Sequence, residues 1–170
     1  MIYVATDPGL KGGITIMQTS PDDEVRLLDI KMMPQTEQDI MNVFKDLQTQ
    51  NIMIIPKYSK IDEVVFPKIK CILEAQHAFP GMGAGAQWTF AQHYGFIRGV
   101  LVSLQIPFIE ISPQKWMGYF GFKREKNEDK KKHKLRILQK AQNLYPHSSV
   151  ALQTADSLML CEYLRLISHS

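Results

Sequence analysis

The chain is short of several things, and each shortage closes off a class of protein. Its 170 residues hold only two cysteines, Cys71 and Cys161. Both lie inside apolar runs, so they read as reduced core residues of a reducing compartment, not as a disulfide or a thiolate metal pair. No stretch approaches the roughly 20 apolar residues that a membrane span needs. Met1 leads directly into a strand-like run, without the pattern of a signal peptide. A soluble, intracellular, cytoplasmic protein with no membrane partner is therefore expected. No internal repeat, low-complexity tract or linker divides the sequence, so residues 1–170 are expected to form a single domain. The glycine-rich run Gly81-Met82-Gly83-Ala84-Gly85 lacks the GxxxxGK[ST] pattern of a phosphate cradle. Hydrophobic content of 45% and charged content of 22% are ordinary for a globular chain.

Net charge is also small, at +3, but its distribution is not even. Residues 1–50 carry eight acidic and four basic residues. From Lys115 to Lys140 lie ten of the twenty Lys and Arg, against only Glu125, Glu128 and Asp129. The centre of this stretch is Lys130-Lys131-Lys132-His133-Lys134-Leu135-Arg136. Such a cluster suits a polyphosphate partner, because each phosphate neutralised releases counterions. A solvated helix face is the plain alternative.

The hydrophobic pattern predicts three strands in succession, at 2–7, 12–18 and 24–31. Both connections are short, which makes an antiparallel meander. A helix is predicted over 36–48, with Ile40, Val43, Phe44 and Leu47 at helical spacing. After the poorly patterned stretch 49–67 come a strand at 68–74, a glycine-rich loop, a long helix at about 86–104 and a strand at 107–111. Trp116, Tyr119 and Phe120 fall in an expected loop. Two helices follow, at 127–145 and about 150–167. The order βββαβαβαα predicts an α/β fold: a mixed five-stranded sheet flanked by helices.

Three acids stand where a carboxylate needs a reason. Asp7 ends Ile2-Tyr3-Val4-Ala5-Thr6 and precedes Pro8-Gly9; Glu74 ends Ile69-Lys70-Cys71-Ile72-Leu73; Asp156 interrupts the otherwise apolar 150–161. Lone buried carboxylates are costly and are usually paired or bound to metal. Brought together, three would hold hard divalent cations through oxygen ligands, and two such cations can stabilise both the attacking and the leaving oxygen of a phosphodiester. Singly, each has a plain reading. Asp7 can cap its own turn, Glu74 can be the first exposed residue after a strand, and Asp156 can pair with a nearby Lys.

A family resemblance rests on the same residues. Ile2-Tyr3-Val4-Ala5-Thr6-Asp7-Pro8-Gly9-Leu10-Lys11-Gly12-Gly13 resembles the first strand and turn of RuvC-type Holliday junction resolvases. Leu73-Glu74-Ala75-Gln76-His77-Ala78-Phe79-Pro80-Gly81-Met82-Gly83 resembles their second acidic motif, in the form found in the phage and viral, poxvirus-like branch. Ala155-Asp156-Ser157-Leu158-Met159-Leu160 resembles the third, and Ile111-Ser112-Pro113-Gln114-Lys115-Trp116 lies between. The resemblance implies a ribonuclease-H-like fold and a homodimer in the cytoplasm, which for a phage or viral protein is the host's. It also implies paired symmetric nicking of four-way, branched DNA with two Mg²⁺ or Mn²⁺ ions per active site. Asp7, Glu74 and Asp156 would be the metal ligands. A fourth ligand, usually acidic and sometimes His, lies one helical turn before the last Asp in that family; here the position is Gln153. Its amide can offer an oxygen but can neither neutralise a cation nor take up a proton, so a weakened or binding-only protein is the competing expectation. A nuclease of hybrids or flaps is another. Lys132 resembles the basic residue near the scissile phosphate, with Lys131 and Lys134 as neighbouring candidates. His77 and Phe79 fall where the family inserts side chains into the junction. Lys115, Lys130, Lys131, Lys132 and Lys134 would meet DNA phosphates.

Overall fold

The structure is a computed structural model of the 170-residue chain, and it describes residues 1–20, 22–49, 68–75, 81 and 83–169. In chain order its elements are β1 (Ile2–Asp7), β2 (Gly13–Thr19), β3 (Val25–Met32), α1 (Glu37–Thr49), β4 (Ile69–Glu74), α2 (Ala84–Ser103), β5 (Phe108–Ile111), α3 (Pro113–Tyr119), α4 (Lys130–Leu144) and α5 (Ala155–Ser168). The strands form one sheet in the order β3-β2-β1-β4-β5. The β1/β2 and β2/β3 pairs are antiparallel, and β1/β4 and β4/β5 are parallel. This is the expected mixed five-stranded sheet flanked by helices.

Strand alternation sorts the core into two layers. Ile2, Val4, Ile14, Ile16, Cys71 and Leu73 join the buried cluster that includes Ile40 and Phe44 of α1 and Ile97 and Leu101 of α2. Tyr3, Ala5, Met17 and Ile72 join the other, with Trp116, Ile137, and Leu158 to Cys161 of α5. Each fully buried large side chain contributes about 1.5–3 kcal/mol from leaving water. α5 is almost wholly enclosed, with residues 155–164 all buried. Both cysteines are buried and free, and burial pushes the Cys71 thiol up to about 12.

Local chemistry sets several boundaries. The Thr36 hydroxyl accepts from the Asp39 N–H at 3.1 Å and donates to the Asp39 carboxylate at 2.6 Å, opening α1. Asp129 caps α4 by accepting from the Lys131 N–H at 3.2 Å. The expected loop after Ser112 is in fact α3: Ser112 stands at its N-cap and Pro113 in its first turn, where a missing N–H costs nothing. The last helix starts at Ala155 and not near 150. Before it, the Thr154 hydroxyl donates to the Ala151 carbonyl and accepts from the Ala151 N–H, both at 3.2 Å, which favours a turn over helix. No helix among the described residues is long and apolar enough to cross a membrane.

Candidate active site

Parity places the first two acids. Along β1, odd positions Tyr3 and Ala5 face α5, so Asp7 does too; along β4, Ile72 faces α5, and so does Glu74. The parallel register pairs Ile2 with Ile69 and Thr6 with Leu73. One step further along both strands brings Asp7 level with Glu74, on adjacent strand ends about 5 Å apart. Asp156 comes from the first turn of α5, where the helix dipole favours negative charge. α5 itself is held against β2 by a hydrogen bond of 2.9 Å between the Thr15 and Ser157 hydroxyls.

The turn after β1 is built around Asp7. Its Oδ1 accepts from the Gly9 N–H at 3.4 Å, and the Gly12 N–H donates to the Gly9 carbonyl at 2.8 Å. A Cβ on Gly12 would stand 2.1 Å from the Asp7 carbonyl oxygen and 2.8 Å from its Cγ, so the position admits no side chain. From α2, the His93 ring reaches the Pro8 carbonyl through Nδ1, which must be the donor because a carbonyl only accepts.

The three acids act on one another. Burial, reinforced by the charge of Asp156, pushes the Asp7 carboxyl up to about 6, although part of the residue stays open to solvent. Burial, with Asp7 second, pushes Glu74 up to about 8, against the pull of a hydrogen bond from Trp116. The cation facing them is Lys134, whose Nζ donates to Asp156 Oδ2 at 2.8 Å. Burial alone would lower the Lys134 ammonium, but the charges of Asp156, Asp7 and Glu74 outweigh it and raise its pKa. Two of the plain readings therefore hold as local geometry, since Asp7 caps its turn and Asp156 pairs with a lysine. Glu74 is buried, at 7% exposure, which excludes the third.

A hard divalent cation suits this donor set. The donors are all carboxylate oxygens, and Asp156 Oδ1 is buried without a hydrogen-bond partner. Among the described residues, no three His, Cys, Asp or Glu side chains are already drawn close enough to hold a metal ion as a group. The fit is therefore one of chemistry and unused acceptor capacity. Asp7, Glu74 and Asp156 are the residues that would hold the ion.

The other sequence candidates fall in different places. Gln153 is exposed and sits in the turn before α5, so it does not share a helix face with Asp156. Lys132 is exposed and points away from Lys134, two residues along the helix. It lines an open groove of about 740 Å³ with Glu125, Lys126, Glu128, Arg136 and Gln139. Lys115, Lys130 and Lys131 are exposed. His77 and Phe79 lie outside the described residues. Sequence reasoning missed Trp116, which is fully buried and donates its indole N–H to Glu74 Oε1 at 2.7 Å. It also missed Gly12 and His93.

Similarity to solved structures is clear at the level of architecture. Thermus thermophilus RuvC, solved with a Holliday junction substrate, superposes with a TM-score of 0.65 at 10% identity, over 99% of this chain and 96% of that one. A second Thermus thermophilus RuvC structure gives 0.61 at 12% identity over the same shares. The fold is that of RuvC. The yeast mitochondrial Holliday junction resolvase Ydc2 aligns at 0.47 and 15% identity, over 98% of this chain and 80% of that one. No family model and no curated protein sequence matches the chain. At these identities the RuvC likeness describes the ribonuclease-H-like fold, and the chemistry must be argued from the site.

Proposed function

We propose that this chain is a metal-dependent endonuclease that recognises four-way DNA junctions by shape and resolves them with paired symmetric nicks. One observation carries the reading: two parallel strand ends and the start of the most buried helix turn three carboxylates onto one face, with Lys134 the lysine paired to them among the described residues. Mg²⁺ or Mn²⁺, two per site on Asp7, Glu74 and Asp156, would stabilise the attacking and leaving oxygens of the phosphodiester. The remaining roles belong to the protein. Asp7 and Glu74 are held by strand ends that cannot rotate, and Lys134 takes the role that the resemblance gave to Lys132. Its ammonium can move from Asp156 to the charge developing on the phosphate. Exposed Lys115, Lys130, Lys131 and Lys132 suit backbone contacts, which position DNA without reading its sequence. The RuvC structure with a Holliday junction substrate supports branched DNA as the partner.

Two sites acting on opposed strands need a two-fold dimer. The face of α2 that carries exposed Trp88 and Val102, with Gly95 and Gly99 exposed between them, is the surface we propose for its seam. The Pro80-Gly81-Met82-Gly83 sequence after the second acid supports a phage or viral branch within this reading.

The test is a synthetic four-way junction with Mg²⁺ or Mn²⁺. Paired symmetric nicks are expected from the unaltered protein, and none from Asp7→Asn, which should still bind the junction. Cutting a hybrid duplex or a flap in preference would replace this reading with another nuclease activity. Gln153 supports a binding-only alternative, because it brings no charge. That alternative wins if nicking is absent until Gln153→Asp is made; we expect Gln153→Asp to alter the rate by less than about threefold, as an exposed substitution outside the helix should.

A further inference from the structure

We infer that Trp116 is a positioning residue, whose indole N–H sets the Glu74 carboxylate in the orientation that receives a divalent cation. The inference rests on the metal-dependent reading above. Trp116 is among the largest fully buried side chains, with no exposed surface, and it shares the apolar cluster of Ala5, Ile72, Ala155 and Leu158. Its ring therefore has no alternative place to go. The indole nitrogen is a donor only, so it cannot reverse its role or accept a proton from the acid. At 2.7 Å from Glu74 Oε1 the bond is at the short end of the N–H···O range. With Oε1 held by a donor that cannot move, the plane of the Glu74 carboxylate is set from the protein side.

A buried indole needs some acceptor, and a backbone carbonyl would have served stability equally well. Here α3 spends this bond on a carboxylate 42 residues away in sequence. Partners that orient metal-ligating carboxylates typically change metal affinity about 10–100-fold when removed.

Two measurements decide it, the first on the protein without DNA and the second in the junction assay. Calorimetric Mn²⁺ binding to Trp116→Phe should be about 10–100-fold weaker than to the unaltered chain. In the junction assay, the Mg²⁺ concentration for half-maximal nicking should rise by a similar factor, with the rate recovering at high metal. A role in packing alone would lower the melting temperature and leave the metal affinity of the folded protein unchanged, and that result overturns the inference. If Trp116→Phe does not fold, the ¹⁵N indole signals of the unaltered protein decide. Mg²⁺ should shift the Trp116 signal, leave that of exposed Trp88, and shift neither in Glu74→Gln. An unmoved Trp116 signal overturns the inference. If the unaltered protein binds neither Mn²⁺ nor Mg²⁺, the nuclease reading itself fails and takes this inference with it. If it binds both, and Trp116→Phe binds them equally well, only the inference falls.

Discussion

α5 carries two buried acids, Asp156 in its first turn and Glu162 at mid-helix, and the two are treated in opposite ways. Glu162 is held by both arms of Arg165, at 2.6 and 2.8 Å, and by the Tyr145 hydroxyl at 2.8 Å. Burial pushes Glu162 up, but Arg165 and Tyr145 more than reverse it and hold the carboxyl below the usual range. Two turns earlier, Asp156 shares one lysine with Asp7 and Glu74, both pushed up, and keeps one oxygen without a partner. The fold can neutralise a buried carboxylate when stability is the only requirement. At the start of the helix it leaves Asp156 Oδ1 buried without a hydrogen bond and two neighbouring carboxyls raised, the pattern on which the proposed metal-dependent reading rests.

The sharpest way to break this comparison is to neutralise one acid of each group. Asp7→Asn should abolish nicking and raise the melting temperature of the metal-free protein, because a buried carboxylate repelled by Asp156 is gone. Glu162→Gln should leave nicking intact and cost about 1–3 kcal/mol, read by denaturant unfolding, since Arg165 and Tyr145 lose their partner. Equal destabilisation by both would remove the distinction. Next in size is the lysine pair. Lys134→Ala should slow nicking about 100-fold, the scale of losing one group aimed at developing charge. Lys132→Ala should change the rate little and reduce the salt slope of junction binding by about one.

The smallest expected effect is on stability against pH. Asp7 and Glu74 have folded values of about 6 and about 8, above their ordinary 3.8 and 4.5. Their stabilising contribution is thus full below about pH 4 and is lost as pH rises through 6 to 8. Glu162, held low, behaves in reverse: its contribution is present above 4.5 and is lost as pH falls through its depressed value. Between pH 5 and 8 the metal-free melting temperature should therefore fall, and millimolar Mg²⁺ should flatten the curve. A flat metal-free curve would contradict the assignment of raised values to the acid group.

Much of this arrangement was legible in the chain. Asp7 and Glu74 each end an alternating or apolar run, and strand parity then fixes the face. Asp156 was conspicuous because it breaks an apolar helix. What stayed hidden depended on helix phase and on distant partners. Lys132 and Lys134 cannot be separated without knowing that α4 starts after Asp129 and buries His133, Ile137 and Ala141, which turns Lys134 toward the site. Gln153 looked helical because the apolar run reaches back to Val150, and only the Thr154–Ala151 turn shows otherwise. Ser112-Pro113 was the available sign of α3, a helix of only seven residues. Nothing local announces that Trp116 meets Glu74.

Gly12 has a consequence of a different kind. At Asp7 the demands of folding and of chemistry pull against each other, so a screen for thermostability alone would enrich substitutions that silence the site. At Gly12, where a single methyl would overlap the Asp7 carbonyl, the two demands coincide. In a library selected only for folding, Asp7 should drift while Gly12 stays fixed, and natural variation filtered by activity should spare both.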